Sequence, residues 1–354
     1  MDLVEGVIQN YAWGDLNEIP RLLGRKPNGQ PQAELWFGTH PAAPATLVDG
    51  RDLQAHAGQL PFLLKVLAAA QPLSLQVHPS GDQAVEGFRR ENAAGIALDS
   101  PVRIYRDPYA KPEILIALGR FEALCGIAPP AQSRKILATI GPAAAQLDHH
   151  LHRDGPEGAI AYLLRERPSI TSLVAAASSV NDPRCRWLRR LELQHPNDPS
   201  AAIVLLLNYV SLNAGQAIYL GPGNLHAYLC GVGVEVLASS DNVVRCGLTP
   251  KHVDIEEAIR VIDPTPLENP LVVPVLDHDG AWQYPVPTTE FDVSRFEIRG
   301  SQQWVASSPE LLLCTAGTLS ELRSGECAVV LKDERVELVG SATLFRIRHI
   351  NRRR

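Results

Sequence analysis

The sequence predicts a mainly β protein interrupted by a helical insertion. Three observations carry this. Short apolar runs alternate with turn residues from Tyr11 to Leu124. An Ala- and Leu-rich stretch with several helix-start signals then fills residues 130–211. Strand texture returns at Ala217 and continues almost to the C-terminus.

In chain order, the first strands are expected at 33–37, 61–67, 73–77 and 113–118, with one helix near 82–91. The texture changes at Pro129, and five or six short helices are expected after it. Asp182-Pro183 and Asp198-Pro199 each place a capping residue before a proline of the first turn. Ser169 after Pro168 reads as a third cap. Beyond the turn Asn213-Ala214-Gly215, strands are expected at 217–220, 225–229 and 232–237, then a helix at 252–261. The Pro-rich crossing from Asp263 to Pro274 reads as a domain boundary. Final strands are expected at 311–314, 327–331, 335–339 and 343–347, and Asn351-Arg352-Arg353-Arg354 as a tail. A weak echo links residues 215–220 to 325–331. Each follows a turn and opens a strand series, which either two antiparallel β-sandwiches or chance would give.

With 354 residues, 45% apolar and 20% charged, the chain has an ordinary globular composition sized for two or three domains. A net charge of -6 argues against a basic face for nucleic acid or anionic membrane. No apolar run reaches the ~18 residues of a membrane span. Met1-Asp2-Leu3-Val4-Glu5 has neither the basic nor the apolar part of a secretory signal. The six cysteines contain no C-x-x-C pair, which fits a reducing, cytoplasmic setting. Arginine has displaced most lysine, so each remaining lysine draws notice.

Four clusters could carry chemistry. On a strand, Ser74, Gln76 and His78 share one face and Leu75 and Val77 the other. Lys111 and Glu113 share a face where an apolar strand opens, and a buried carboxylate there needs a partner. A Gly221-Pro222-Gly223-Asn224 turn leads into a strand carrying His226 and Tyr228 on one face, as in metal-binding β-sandwiches of the cupin type. Glu235 alternates with apolar neighbours and so points into a cavity. Gln76, His78, Glu113 and His226 together offer two imidazoles, a carboxylate and an amide oxygen, a set suited to zinc, iron or manganese. Lys65, Lys111, Arg245 and Lys251 could form a cationic pocket for a phosphate or carboxylate. Separate structural ion pairs are the blander alternative.

Several segments, in order, resemble the type I mannose-6-phosphate isomerases. They include Tyr11-Ala12-Trp13-Gly14, Glu34-Leu35-Trp36-Phe37-Gly38-Thr39-His40-Pro41, Leu60 to Leu67, Pro72 to Pro79, Lys111-Pro112-Glu113, His226-Ala227-Tyr228-Leu229 and Ser240 to Lys251. The resemblance implies a catalytic cupin domain of residues 1–126 plus 212–270, a helical domain of 127–211 and a C-terminal cupin-like domain of 271–354. It implies that Gln76, His78, Glu113 and His226 bind one Zn2+. It implies a catalytic Arg245, proton transfer by Lys111, and a phosphate held by Ser74, Lys65 and Lys251. Tyr228, Trp13 and Asp241 complete the expected substrate-binding set. The implied reaction interconverts mannose 6-phosphate and fructose 6-phosphate through a cis-enediol. Arginine is a poor base, so Arg245 is expected to stabilise charge, while Lys111 or Glu235 carries the proton. The implied partner is a small phosphosugar, with no nucleic acid and no membrane, and a monomer is expected. Four positions depart from the family pattern: Ile104, Tyr109, Ala110 and Gly81. They leave the zinc ligands intact and bear on substrate preference. The rival readings are another metal-dependent cupin sugar enzyme and a non-catalytic sugar-phosphate-binding cupin.

Overall fold

The computed structural model describes residues 1–349. The 351–354 tail lies outside the described residues. Two large antiparallel sheets dominate. The first runs in the order Leu271–Val272, Ala217–Leu220, Glu113–Ala117, His226–Ala238, Phe62–Ala69, Glu34–Phe37, Val7–Gln9. Its long strand His226–Ala238 leaves that sheet at its beginning. There it pairs with Leu75–Val77 and Phe121–Ile127, which continue to Val244–Gly247 and Leu207–Leu212. One strand therefore belongs to both layers of a sandwich. Leu67, Ala69, Leu115 and Ala117 from one layer meet Phe121, Ala123, Cys125 and Val210 from the other.

The strand Phe62–Ala69 is buried on both faces, which is why it reads as an unbroken apolar run. Its period of two still holds. Phe62, Leu64, Val66 and Ala68 pack against Leu311, Leu313, Val329 and Phe345 of the second large sheet. Lys65, Leu67 and Ala69 alternate with them and face the sandwich interior. The second sheet is ordered Val275–Leu276, Ala281–Gln283, Asp292–Val305, Arg335–Arg348, Glu310–Leu319, Cys327–Val330, Asp2–Glu5, Thr46–Leu47. Its last two strands come from the N-terminal end of the chain.

Most expected elements form, and the differences have local causes. The helix near residue 82 runs Gly81–Ala93 and opens on a capping box between Ser80 and Gln83. Asp182 and Asp198 cap as expected, accepting from the backbone N–H of Arg184 and Ser200. Ser169 does not cap. Its hydroxyl meets that of Thr171, and the helix opens at Ile170 without a side-chain bond. The helical stretch also ends earlier than 211. Leu207–Leu212 is a strand, drawn into the ladder by Phe121–Ile127. The expected strand pairs at 225–237 and 335–347 each run as one, because Gly231 and Gly340 bend the backbone without ending it. The helix expected at 252–261 starts at Ile255, where Asp254 caps it.

Candidate active site

The register of three neighbouring strands assembles the centre. Gln76 lies opposite His226 on one side and Arg245 on the other. Leu75 and Val77 are fully buried behind them, so Ser74, Gln76 and His78 share the opposite face as their alternation requires, and Ser74 and Gln76 line the cavity. Glu113 arrives from the first sheet, opposite Leu220 and Leu237.

His78, Glu113 and His226 place one ligand atom each within 4.8 Å of one another, and all three are buried. His78 Nε2 is 3.3 Å from Glu113 Oε1, and His226 Nε2 is 3.9 Å from Glu113 Oε2. Each imidazole gives its Nδ1 to a backbone carbonyl at 2.8 Å, His78 to Asn242 and His226 to Asn224. A carbonyl only accepts, so Nδ1 carries the hydrogen and Nε2 keeps its lone pair. Burial and the neighbouring His78 push the His226 imidazole down to about 4, which keeps it neutral. Burial alone would raise the Glu113 carboxyl. Its neighbours His78 and Lys111 outweigh it and hold the group well below the usual carboxylate range. Among the described residues His78 Nε2 has no hydrogen-bond partner although it is buried. A lone pair so oriented and unanswered fits a metal ion. The Gln76 amide lies 3.4 Å from His226 Nε2 with its nitrogen on that side, and a half-turn presents its oxygen. Two imidazoles, a carboxylate and an amide oxygen suit Zn2+.

The centre opens into a cavity of about 660 Å³. Trp13, Lys65, Ser74, Lys111, Tyr228, Glu235, Asp241, Arg245 and Lys251 all line it. The four expected cations therefore share one space, but in two electrical states. Lys111 is 3.3 Å from Glu113. Lys65 sits 3.5 Å from Glu34 and 3.2 Å from Glu235, with its Nζ 4.9 Å from the centroid of the Trp36 ring. Arg245 and Lys251 are different. Among the described residues neither has a carboxylate within 4.0 Å, and Arg106 is in the same position. Burial and Arg106 lower the Arg245 guanidinium, and burial, Arg245 and Arg106 lower the Lys251 ammonium. Three mutually repelling cations without a carboxylate partner among the described residues suit an anion. Glu235 has the opposite bias. Burial, together with the Glu113 and Glu34 carboxylates, outweighs its Lys65 partner and raises it to about 7. Tyr228 Oη is buried and has no hydrogen-bond partner among the described residues.

A family model described as "Phosphomannose isomerase type I, catalytic domain" matches residues 2–129. The mannose-6-phosphate isomerase of Salmonella typhimurium is 34% identical, covering 94% of this chain and 93% of its own. That decides the family. The chain is a type I phosphomannose isomerase family member. Its Escherichia coli relative, also named mannose-6-phosphate isomerase, is 34% identical over 96% of this chain and 97% of its own. The human relative is 29% identical over 88% and 86%. The crystal structure of the Salmonella typhimurium enzyme bound to fructose 6-phosphate and zinc superposes with a TM-score of 0.90 at 32% identity, covering 99% of both chains.

Within this phosphomannose isomerase fold, the family departures stand off the cavity. Ile104, Tyr109, Ala110 and Gly81 are absent from its lining. Ile104 is buried with its N–H on Glu91, Tyr109 is exposed, and Gly81 opens a helix. Sequence reasoning missed Glu34, His40, Arg106 and Asn242. Glu34 alternates with apolar neighbours as Glu235 does, so the same signal marks it. His40 is buried at the cavity wall, 3.5 Å from Asp241. Arg106 lies in an irregular loop, where no local pattern singles it out. The helical insertion, from which no chemistry was expected, contributes Gln194 and His195 to the cavity wall.

Proposed function

We propose that the protein reversibly isomerises mannose 6-phosphate and fructose 6-phosphate at a zinc site. The observation that carries this reading is one cavity lined both by Glu113 of the buried His–Glu–His centre and by Arg245 and Lys251, two cations without a carboxylate partner among the described residues. The first suits the hydroxyl and carbonyl oxygens of a sugar, the second a phosphate.

The open-chain aldose must lose a C2 proton and regain one at C1 through a cis-enediol. Gln76, His78, Glu113 and His226 would hold Zn2+, which would supply Lewis-acid polarisation of the sugar oxygens. Arg245, Lys251 and Arg106, with the Ser74 hydroxyl, hold the phosphate at the opposite charge extreme from Glu235. We assign proton transfer to Glu235, whose carboxyl lies near neutrality and can both take and return a proton. Lys111, committed to Glu113, stabilises negative charge that develops on the enediolate oxygens. Lys65 acts as the counter-ion that keeps Glu34 and Glu235 together in the wall. Its two carboxylate partners argue against the phosphate contact first expected of it. Tyr228 offers its unpartnered phenol to a sugar hydroxyl, and Trp13 and Asp241 border the same space.

The reading includes a cytoplasmic setting and action as a single chain. All six cysteines are free, as in a reducing compartment. Among the described residues, no helix is long and apolar enough to cross a membrane. The direct test is interconversion of the two sugars before and after chelation. Activity lost to a chelator and restored by zinc is the expected result. Undiminished turnover in zinc-free protein would sink the reading.

A further inference from the structure

Residues 103–112 form no helix or strand, yet they carry Lys111 to the cavity wall and Arg106 close enough to act on the Arg245 and Lys251 charges. Such a loop must find partners for its backbone groups elsewhere. Glu91 accepts from the N–H groups of Ile104 and Tyr105 at 3.1 and 2.8 Å. The next two N–H groups, of Arg106 and Asp107, donate to Asn242 Oδ1 at 2.8 and 3.3 Å. Asn242 Nδ2 reaches the carbonyls of Asp107 and Tyr109, both at 2.8 Å, and Asp107 Oδ1 at 3.1 Å. The Ser240 hydroxyl and the Asp241 N–H close on the Asp107 carboxylate, each at 2.8 Å. Asn242 is fully buried. Its own carbonyl is the group that accepts from His78 Nδ1.

One residue therefore faces two ways. Its main chain fixes the ring of His78, and its side chain fixes the loop. We propose that Asn242 is a positioning residue that ties the zinc ligand His78 to the Arg106–Lys111 loop, so that metal centre and loop are set as one unit. The choice of residue type follows. The side chain must accept from two N–H groups and donate to two carbonyls in a site without solvent, which an amide does in one plane. Alanine leaves those buried groups unpaired. Aspartate keeps the acceptor but faces the Asp107 carboxylate with a like charge. The proposal rests on the zinc isomerase reading above.

The test measures zinc affinity by chelator competition, and kcat and KM for fructose 6-phosphate at saturating zinc. It compares wild type, Asn242→Ala, Asn242→Asp and Glu91→Gln. Circular dichroism of the zinc-free proteins checks folding. The Asn242 variants are expected to lose about 10- to 100-fold in zinc affinity, the size of effect seen for outer-shell partners. Their kcat at saturating zinc should fall as well. Glu91→Gln loosens the other end of the same loop without touching His78, so it should lower kcat and keep zinc affinity near wild type. Unchanged zinc affinity in a folded Asn242 variant would overturn the proposal. So would an equal affinity loss in Glu91→Gln, or failure of both Asn242 variants to fold, since each makes the residue a general brace. A wild type that binds zinc but does not isomerise would instead remove the functional reading.

Discussion

Glu235 and Lys65 lie opposite each other in neighbouring strands, and Trp36 lies opposite Lys65 on its other side. One ammonium is thereby shared by two carboxylates, Glu34 and Glu235. Burial and the surplus negative charge raise Glu235, so it holds a proton below about 7 and releases it above. A base must be deprotonated to act. Turnover measured as kcat/KM is therefore expected to fall as pH drops through that region. Glu235→Gln should lower kcat by roughly 10²- to 10⁴-fold and abolish that limb of the profile. A pH profile unchanged in the variant would return proton transfer to Lys111. At this scale the sequence was informative about position and less so about charge. Alternation alone turned Ser74, Gln76 and His78 to one side. Lys65 was equally visible as a lysine inside an apolar strand. Its two partners come from strands distant in sequence, so its neutralisation was not legible.

The strand His226–Ala238 is the element on which the site depends. Its first residues pair in one layer of the sandwich and its later ones in the other. The register shifts between Tyr228 and Cys230, and Gly231 follows with a φ of 126°. A Cβ on Gly231 would lie 2.6 Å from the carbonyl oxygen of Arg120 and 2.7 Å from Phe121 Cα, both backbone atoms. Gly231→Ala is therefore expected to destabilise the protein by about 2 kcal/mol or more, through strain and clash together. Thermal unfolding checks this, and a midpoint near wild type would show that the layers can separate without loss. The sequence read this element as two strands with Gly231 between them. It mistook a bend for an end, because a long-range ladder on both sides holds the bend. The 103–112 loop is the reverse case. It has no periodicity to read, and its shape comes from two side chains, Glu91 and Asn242, that lie 151 positions apart in the sequence.

At the scale of the molecule, the N-terminal strand Asp2–Glu5 inserts between Cys327–Val330 and Thr46–Leu47, at the edge of the C-terminal sheet. The inner faces of the two large sheets also share one apolar cluster. The division into 1–126 plus 212–270, 127–211 and 271–354 remains our proposal for how the chain is organised. Within it, the C-terminal part is not self-sufficient. Expressed alone, residues 271–354 should fail to show a cooperative unfolding transition, because they lack two strands of the sheet and expose Leu311, Leu313 and Phe345. A cooperative transition would show an independent domain. The strand-rich ends and helical middle were plain in the sequence, since each has its own texture. The N-terminal strand's place was not, since four residues carry too little pattern to specify a partner more than three hundred positions away. The central claim joins both ends of the cavity in one reaction. Proton NMR of mannose 6-phosphate and fructose 6-phosphate in deuterated solvent tests it most directly, with zinc-loaded protein and again after chelation. Interconversion of the two sugars with deuterium entering at C1 or C2, stopped by the chelator, is the predicted result. Sugar binding to zinc-loaded protein with neither interconversion nor exchange would contradict the account.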